Sequence, residues 1–372
     1  MAHTLPATPF RVALIGTGRP LNSDGSTGYG MAHAHARGYN ESGKCEIVAL
    51  CDLVPERAEQ FNQENAGGKA TVYTDYHKML AEAKPDIVSV CTWPALHKPM
   101  VIAAAEAGVK AIHCEKPMAP NYADSKAMAD ACTSRGIQLT FNHQRRFNGP
   151  FKGAKRLLDA GEIGELVRME AYCGDLFDWG THWINMFLFY NGEHPAEYVL
   201  AQIDARRPHA AFGVKMETQG LALIKFTNGV FATLYTGDEL QNVLGFANRL
   251  IGKTGVIEVL WNAPWVRYRK EGDSEWRHLP PAEVADTIHG GDANVAGVRD
   301  VVESLAAGRA PLCSVSNALP TTEIIFATYE SARRRGRVTM PLEPGGNAFY
   351  ALLEEGVFPL ASPTPPPPPS SE

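Results

Sequence analysis

The run Val12-Ala13-Leu14-Ile15, followed at once by Gly16-Thr17-Gly18, constrains this chain more than any other stretch. Four consecutive apolar residues describe a strand buried on both faces, as in the interior of a parallel sheet. Glycines directly after such a strand permit a tight turn and a close approach of backbone to a bound group. Gly28-Tyr29-Gly30 then opens a helical segment, Gly30–Asn40. Strand, glycine turn and helix N-terminus in that order suit the pyrophosphate of a dinucleotide.

The rest of the first part repeats this rhythm. Strand-like runs are expected at Arg11–Ile15, Glu46–Cys51, Asp86–Cys91, Val109–Cys114 and Gln138–Phe141. Helical segments lie between them at Pro55–Glu64, Tyr76–Ala83, Pro99–Ala107 and Ala123–Ser134, with Asp75 as a candidate N-cap. Strands alternating with helices predict a Rossmann-like, doubly wound parallel sheet over residues 9–142.

Beyond Phe147 the pattern changes. Helices are expected at Pro150–Ala160 and Trp179–Tyr190, and strands at Gly164–Tyr172, Tyr198–Asp204, Gly220–Phe226, Val230–Thr236, Ala247–Ile251, Val256–Leu260 and Val266–Arg269. Asn228-Gly229 marks an antiparallel hairpin. With late helices at Asp292–Ala307 and Leu319–Arg335, residues 143–345 read as an α+β domain with a largely antiparallel sheet, which binds substrate and supports a homodimer or homotetramer. Residues 360–372, with five consecutive prolines, read as a disordered polyproline tail.

Composition narrows the function. A net charge of -6 with no basic stripe argues against nucleic acid. The arginine run Arg333-Arg334-Arg335 falls at a helix end, where cations meet the negative dipole. Seven unpatterned cysteines argue against a disulfide framework and a zinc site, and no apolar stretch is long enough to span a membrane. Without a signal-peptide pattern at its start, the chain is expected in the cytoplasm.

Asp52 ends the second strand, where a carboxylate accepts from the ribose hydroxyls and repels a 2′-phosphate, favouring NAD over NADP. A helix cap before Pro55 is the alternative. The segment Pro20 to Gly28 reads as an insertion in the glycine loop, expected to fold over the cofactor. Lys116, after a buried strand and before Pro117, is placed at the carboxyl edge of the sheet, where ligands bind. Its ammonium suits a developing alkoxide. Asp178 and His182 stand four apart, on one face if helical, which suits a base oriented by a carboxylate. A metal pair is disfavoured because no further ligand sits nearby, and a purely structural histidine stays open.

Taken together, Gly16-Thr17-Gly18, His33 and His35, Cys51-Asp52, Thr92 with His97, Glu115-Lys116-Pro117, Arg146-Phe147 with Gly161-Glu162-Ile163-Gly164, and Asp178 with His182 resemble the Gfo/Idh/MocA oxidoreductases. The resemblance runs over most of residues 10 to 340. It implies NAD(P)-dependent oxidation of a sugar, glycoside or cyclitol hydroxyl, with Lys116 and His182 in proton transfer, Asp178 assisting, and Glu115 near the nicotinamide. Gly16, Thr17, Gly18, Arg19, Gly30, Asp52, Thr92, His97 and Glu115 are then expected at the cofactor. Asn142, Gln144, Arg145, Arg146, Trp179 and Trp183 are candidates for the substrate pocket, although each tryptophan could equally be core and Arg146 could be structural.

Departures from the family pattern bear on the substrate. Trp93-Pro94 replaces a Pro-Asn pair, Asn185 replaces a frequent aspartate, and the glycine run before Asp178 is reduced to Gly174. Two other readings stay open: a glycosidase or epimerase that retains NAD and oxidises transiently, and a non-catalytic dinucleotide-dependent sensor.

Overall fold

The computed structural model describes residues 8–19, 30–207, 209–237, 244–284 and 292–358. The glycine-loop insertion and the proline-rich tail lie outside the described residues.

The first sheet is wholly parallel. Its strands are β1 (Phe10–Ile15), β2 (Cys45–Cys51), β3 (Thr71–Tyr73), β4 (Ile87–Val90), β5 (Ala111–Cys114) and β6 (Gln138–Phe141), in the order β3-β2-β1-β4-β5-β6. Connecting them are α1 (Met31–Glu41), α2 (Pro55–Ala66), α3 (Tyr76–Ala83), α4 (Pro94–Glu106) and α5 (Tyr122–Thr133). Val12, Leu14, Val88 and Ile112 are fully buried, as strands covered by helices on both faces require. Asp75 caps α3 by accepting from the amides of His77 and Lys78.

Two expectations needed correction here. Helix α4 begins at Pro94 rather than Pro99, because Pro94 fits a first helical turn and Pro99 is tolerated inside. Strand β3 escaped the pattern because it is a three-residue edge strand.

A 3-10 turn, Gln144–Phe147, leads from β6 into α6 (Gly149–Asp159), β7 (Leu166–Cys173) and α7 (Gly180–Tyr190). The large second sheet adds β8 (Ala196–Asp204), β11 (Gln219–Phe226), β12 (Phe231–Thr236), β13 (Phe246–Gly252), β14 (Gly255–Leu260), β15 (Val266–Lys270), β16 (Arg277–His278) and β17 (Val338–Thr339). Its neighbours are antiparallel except β7 and β12, which run parallel. Gly229, at φ 93°, turns β11 into β12 as the Asn-Gly signal predicts. A small hairpin, β9 (His209–Ala211) and β10 (Val214–Met216), stands apart from this sheet.

Three late helices complete the described chain: α8 (Asp292–Ala307), α9 (Val315–Arg334) and α10 (Ala348–Glu354). Val298, Val301 and Val302 of α8 join the core of the first sheet, although α8 follows the second sheet in the chain. Gly38 of α1 allows that approach, since a Cβ there would lie 2.6 Å from Val298 Cβ.

Candidate active site

The carboxyl edge of the first sheet carries the site. Gly16 has φ 83°, and a Cβ there would lie 2.8 Å from Thr92 Cγ2, so only glycine fits between the two strand ends. Gly18 (φ 59°) leaves a Cβ clear of every described residue, and Gly30 (φ 61°) starts α1 without a side-chain cap. A turn that exposes backbone and an uncapped helix start fit a pyrophosphate. Arg19 is exposed beside them.

Asp52 is tied into this turn. Its Oδ2 accepts from Thr17 N at 2.9 Å, Thr17 Oγ1 at 2.9 Å and Gly18 N at 3.2 Å. Its Oδ1 accepts from Val54 N at 3.0 Å, two residues ahead. Val54, not Asp52, occupies the N-cap position of α2. The carboxylate therefore orders the glycine turn through Oδ2, while Oδ1, with one donor among the described residues, retains acceptor capacity for a hydroxyl.

His97 lies deeper than expected for a cofactor contact. It is fully buried, with Nε2 2.9 Å from Thr92 O and Nδ1 3.1 and 3.0 Å from the carbonyls of Pro117 and Met118. Burial lowers its pKa. It fastens the Thr92 loop to the loop after β5.

Glu115 anchors a buried polar chain. Its Oε1 accepts from Asn142 Nδ2 at 2.7 Å and lies 2.9 Å from His35 Nε2, while Oε2 accepts from Lys116 N at 3.2 Å. His35 Nδ1 lies 2.7 Å from Ser89 Oγ and 3.2 Å from Cys91 Sγ. Burial opposes a charge on His35, but Cys91 and Glu115 outweigh it and push its pKa up to about 10. Burial likewise acts to raise Glu115, and His35, Asn142 and Lys116 overcome it, holding the carboxyl below the usual range.

Lys116 crosses to the second domain. Its Nζ donates to Asp178 Oδ1 at 2.7 Å and to Asp178 O at 3.1 Å. Asp178 precedes α7, so it and His182 do not share a helical face. The loop bearing Asp178 is held by Asp175, whose Oδ1 accepts from the amides of Asp178 (2.5 Å) and Trp179 (3.2 Å). His182 sits in the first turn of α7, its ring 6.5 Å from that of Trp179 and 6.2 Å, edge-on, from that of His143. His143 Nε2 lies 3.0 Å from Thr181 Oγ1, and burial, with Arg146 and Lys116 nearby, lowers its pKa to about 3.

The remaining candidates divide. Asn142 Oδ1 and Gln144 Oε1 are buried with no hydrogen-bond partner among the described residues, as acceptors awaiting a ligand or water are. Trp183 lies fully in the second core, against Phe151 and Trp261, with the Arg145 guanidinium 4.5 Å from its ring. Arg146, 1% exposed, pairs with Glu193 and donates from Nε to Asn185 Oδ1 at 2.6 Å, fastening the 3-10 turn to α7. Trp183 and Arg146 thus sit in packing rather than at the crevice.

Sequence reasoning missed His143, Asp175 and Glu217. An aspartate three residues before Asp178 is a capping signal that could have found Asp175. Among the described residues no cluster of three or more His, Cys, Asp or Glu is arranged to hold a metal ion, and no helix is long and apolar enough to cross a membrane.

A parallel nucleotide-type sheet followed by a mixed sheet, with Lys116 reaching from the first domain to Asp178 of the second, defines a two-domain fold with a dinucleotide-type turn at its carboxyl edge. Residues 10–143 match the Gfo/Idh/MocA family model, described as an oxidoreductase family with an NAD-binding Rossmann fold. It is 35% identical over 163 residues to D-apiose dehydrogenase of Paraburkholderia graminis, covering 44% of this chain and 40% of that protein. It is 26% identical over 269 residues to inositol 2-dehydrogenase of Azotobacter vinelandii, covering 67% and 73%. The match to the apiose enzyme thus spans about two fifths of that relative's length. A levoglucosan dehydrogenase solved with NADH and levoglucosan has the same fold (TM-score 0.74, 22% identity, 90% of this chain and 100% of that one).

Proposed function

We propose that this protein is an NAD-dependent dehydrogenase moving hydride between a sugar, glycoside or cyclitol carbinol and the nicotinamide. The observation that carries this reading is the Lys116–Asp178 pair, 2.7 Å long, at the carboxyl edge that also bears the Gly16–Gly18 turn. The match of residues 10–143 to the family model and the sugar and cyclitol substrates of the named relatives support it.

The glycine turn, Asp52 and the start of α1 hold the dinucleotide, with Glu115 beside its nicotinamide end. NAD, when bound, supplies the hydride acceptor. Asp178 aims the Lys116 ammonium, so the lysine donates to the substrate oxygen and stabilises alkoxide character. His182 then takes the hydroxyl proton. Asn142 and Gln144 offer acceptors to neighbouring hydroxyls.

Purified protein with NAD, assayed at 340 nm against sugars, glycosides and inositols, tests the reading. NADH formation with at least one polyol supports it. No turnover across the panel, in either direction, refutes it.

A further inference from the structure

Lys116 and Asp178 are not alone in joining the two domains beside the glycine turn. An aromatic pair joins Trp93 to Phe212, with ring centroids 6.4 Å apart and planes tilted by 58°. Trp93 follows β4 and Lys116 follows β5, adjacent strands about 4.8 Å apart. His97 fastens the two loops together, as described above. The bridges therefore leave the same edge side by side.

Phe212 sits at the tip of the β9–β10 hairpin with φ 52°, a left-handed conformation that bulky residues avoid. The hairpin's base is fixed to the loop that carries Asp178. His209 Nε2 lies 3.9 Å from Asp175 Oδ2. Glu217, just after β10, accepts from Leu176 N at 2.7 Å, from Thr236 Oγ1 at 3.0 Å and from the Tyr329 hydroxyl at 2.7 Å. An element tied to the catalytic loop at its base thus delivers a strained aromatic residue to the opposite domain.

Trp93 stays 48% exposed even with Phe212 against it. Rings this close and tilted leave no slot between them, so a ligand would lie on the open indole face while Phe212 holds the ring in place. Sugar rings and planar aglycones offer apolar faces to such a surface. We propose that Trp93 forms a second subsite, stacking on the aglycone or second ring of a glycoside whose reacting sugar lies at Lys116, and that Phe212 positions it. The substrate class is then a glycoside with an apolar second unit rather than a free sugar or cyclitol. This rests on the dehydrogenase reading for the placement of the reacting sugar.

Calorimetric titration of the NAD-loaded protein with phenyl β-D-glucoside and methyl β-D-glucoside tests the subsite without requiring turnover. The native protein should bind the phenyl glycoside about tenfold more tightly, the scale of one good aromatic contact. Trp93→Ala should abolish that preference while leaving the methyl glycoside within about twofold, and Phe212→Leu should reduce it by about threefold. Equal binding of the two glycosides by the native protein, no binding of either, or equal losses on both in Trp93→Ala overturns the subsite. Tight phenyl-glycoside binding without NADH formation keeps the subsite and sinks the dehydrogenase reading instead.

Discussion

The Lys116 ammonium is held by two oxygens of one residue, the carboxylate and the carbonyl of Asp178, at 2.7 and 3.1 Å. The side chains are only 16% and 6% exposed. An ion pair so withdrawn from water is costly to break from one side, because the remaining charge keeps its desolvation penalty. It also fixes the domains relative to each other at the point where chemistry is expected.

Lys116→Met should therefore lose both turnover and stability. Turnover should fall at least a hundredfold, within the range of about 10²–10⁴ for acid–base groups, while NAD affinity stays near normal. Stability should fall by about 3 kcal/mol in urea unfolding, and Lys116→Met with Asp178→Leu should recover most of it without recovering turnover. His182→Ala should match the turnover loss alone. Near-native turnover in His182→Ala would leave Lys116 as the proton acceptor.

Asp52→Ala should relax the preference for NAD over NADP. Each charge-assisted hydrogen bond lost is worth roughly 1.5–3 kcal/mol, and removal of the negative charge admits a 2′-phosphate. Because Asp52 also holds Thr17 and Gly18, both cofactors should bind more weakly, with NAD losing more. The two kcat/KM values decide it: an unchanged ratio would confine Asp52 to ordering the turn.

Most of the first sheet was legible because β1, β2, β4 and β5 are apolar runs that end at or just before a glycine or cysteine, and because Pro55 and Asp75 mark the starts of α2 and α3. The pairing of Lys116 with Asp178 was not, since 62 residues separate them and they lie in loops of different domains, Lys116 after β5 and Asp178 between β7 and α7. Four-residue spacing suggested a helix where Asp175 instead holds a loop. Trp183 and Arg146 read from the sequence either as pocket residues or as packing, and burial against Phe151 and Trp261 for one and pairing with Asn185 and Glu193 for the other favour packing. Short elements such as β3 and the β9–β10 hairpin have too few residues to show a period.

Arg146 is expected to act through structure. Its guanidinium is fully enclosed and satisfied by Asn185 and Glu193. Arg146→Met removes those bonds and leaves Asn185 Oδ1 without its donor, a loss of about 3 kcal/mol or more in unfolding free energy. Substrate KM in the surviving folded fraction should shift less than about threefold, well under one lost charge-assisted bond. A large KM change at unchanged stability would return Arg146 to the substrate pocket.

Glu217 should make stability depend on pH in a recognisable direction. Burial, and then the charge of Asp175, push its pKa up from 4.5 to about 7. The folded chain therefore holds a proton that the unfolded chain releases above its ordinary carboxyl pKa. Stability from this group is complete below that value and is lost as pH rises through about 7. The full swing is on the order of 3 kcal/mol, at 1.36 kcal/mol per pKa unit. Glu217→Gln keeps a neutral side chain that can accept from Leu176 N and Thr236 yet cannot ionise. Urea unfolding from pH 5 to 8 should show native stability falling relative to Glu217→Gln by about that amount, with the curves closest at pH 5. Parallel curves across this range would mean that Glu217 stays ionised, sustained by its three donors, and that the hairpin base carries a permanent charge.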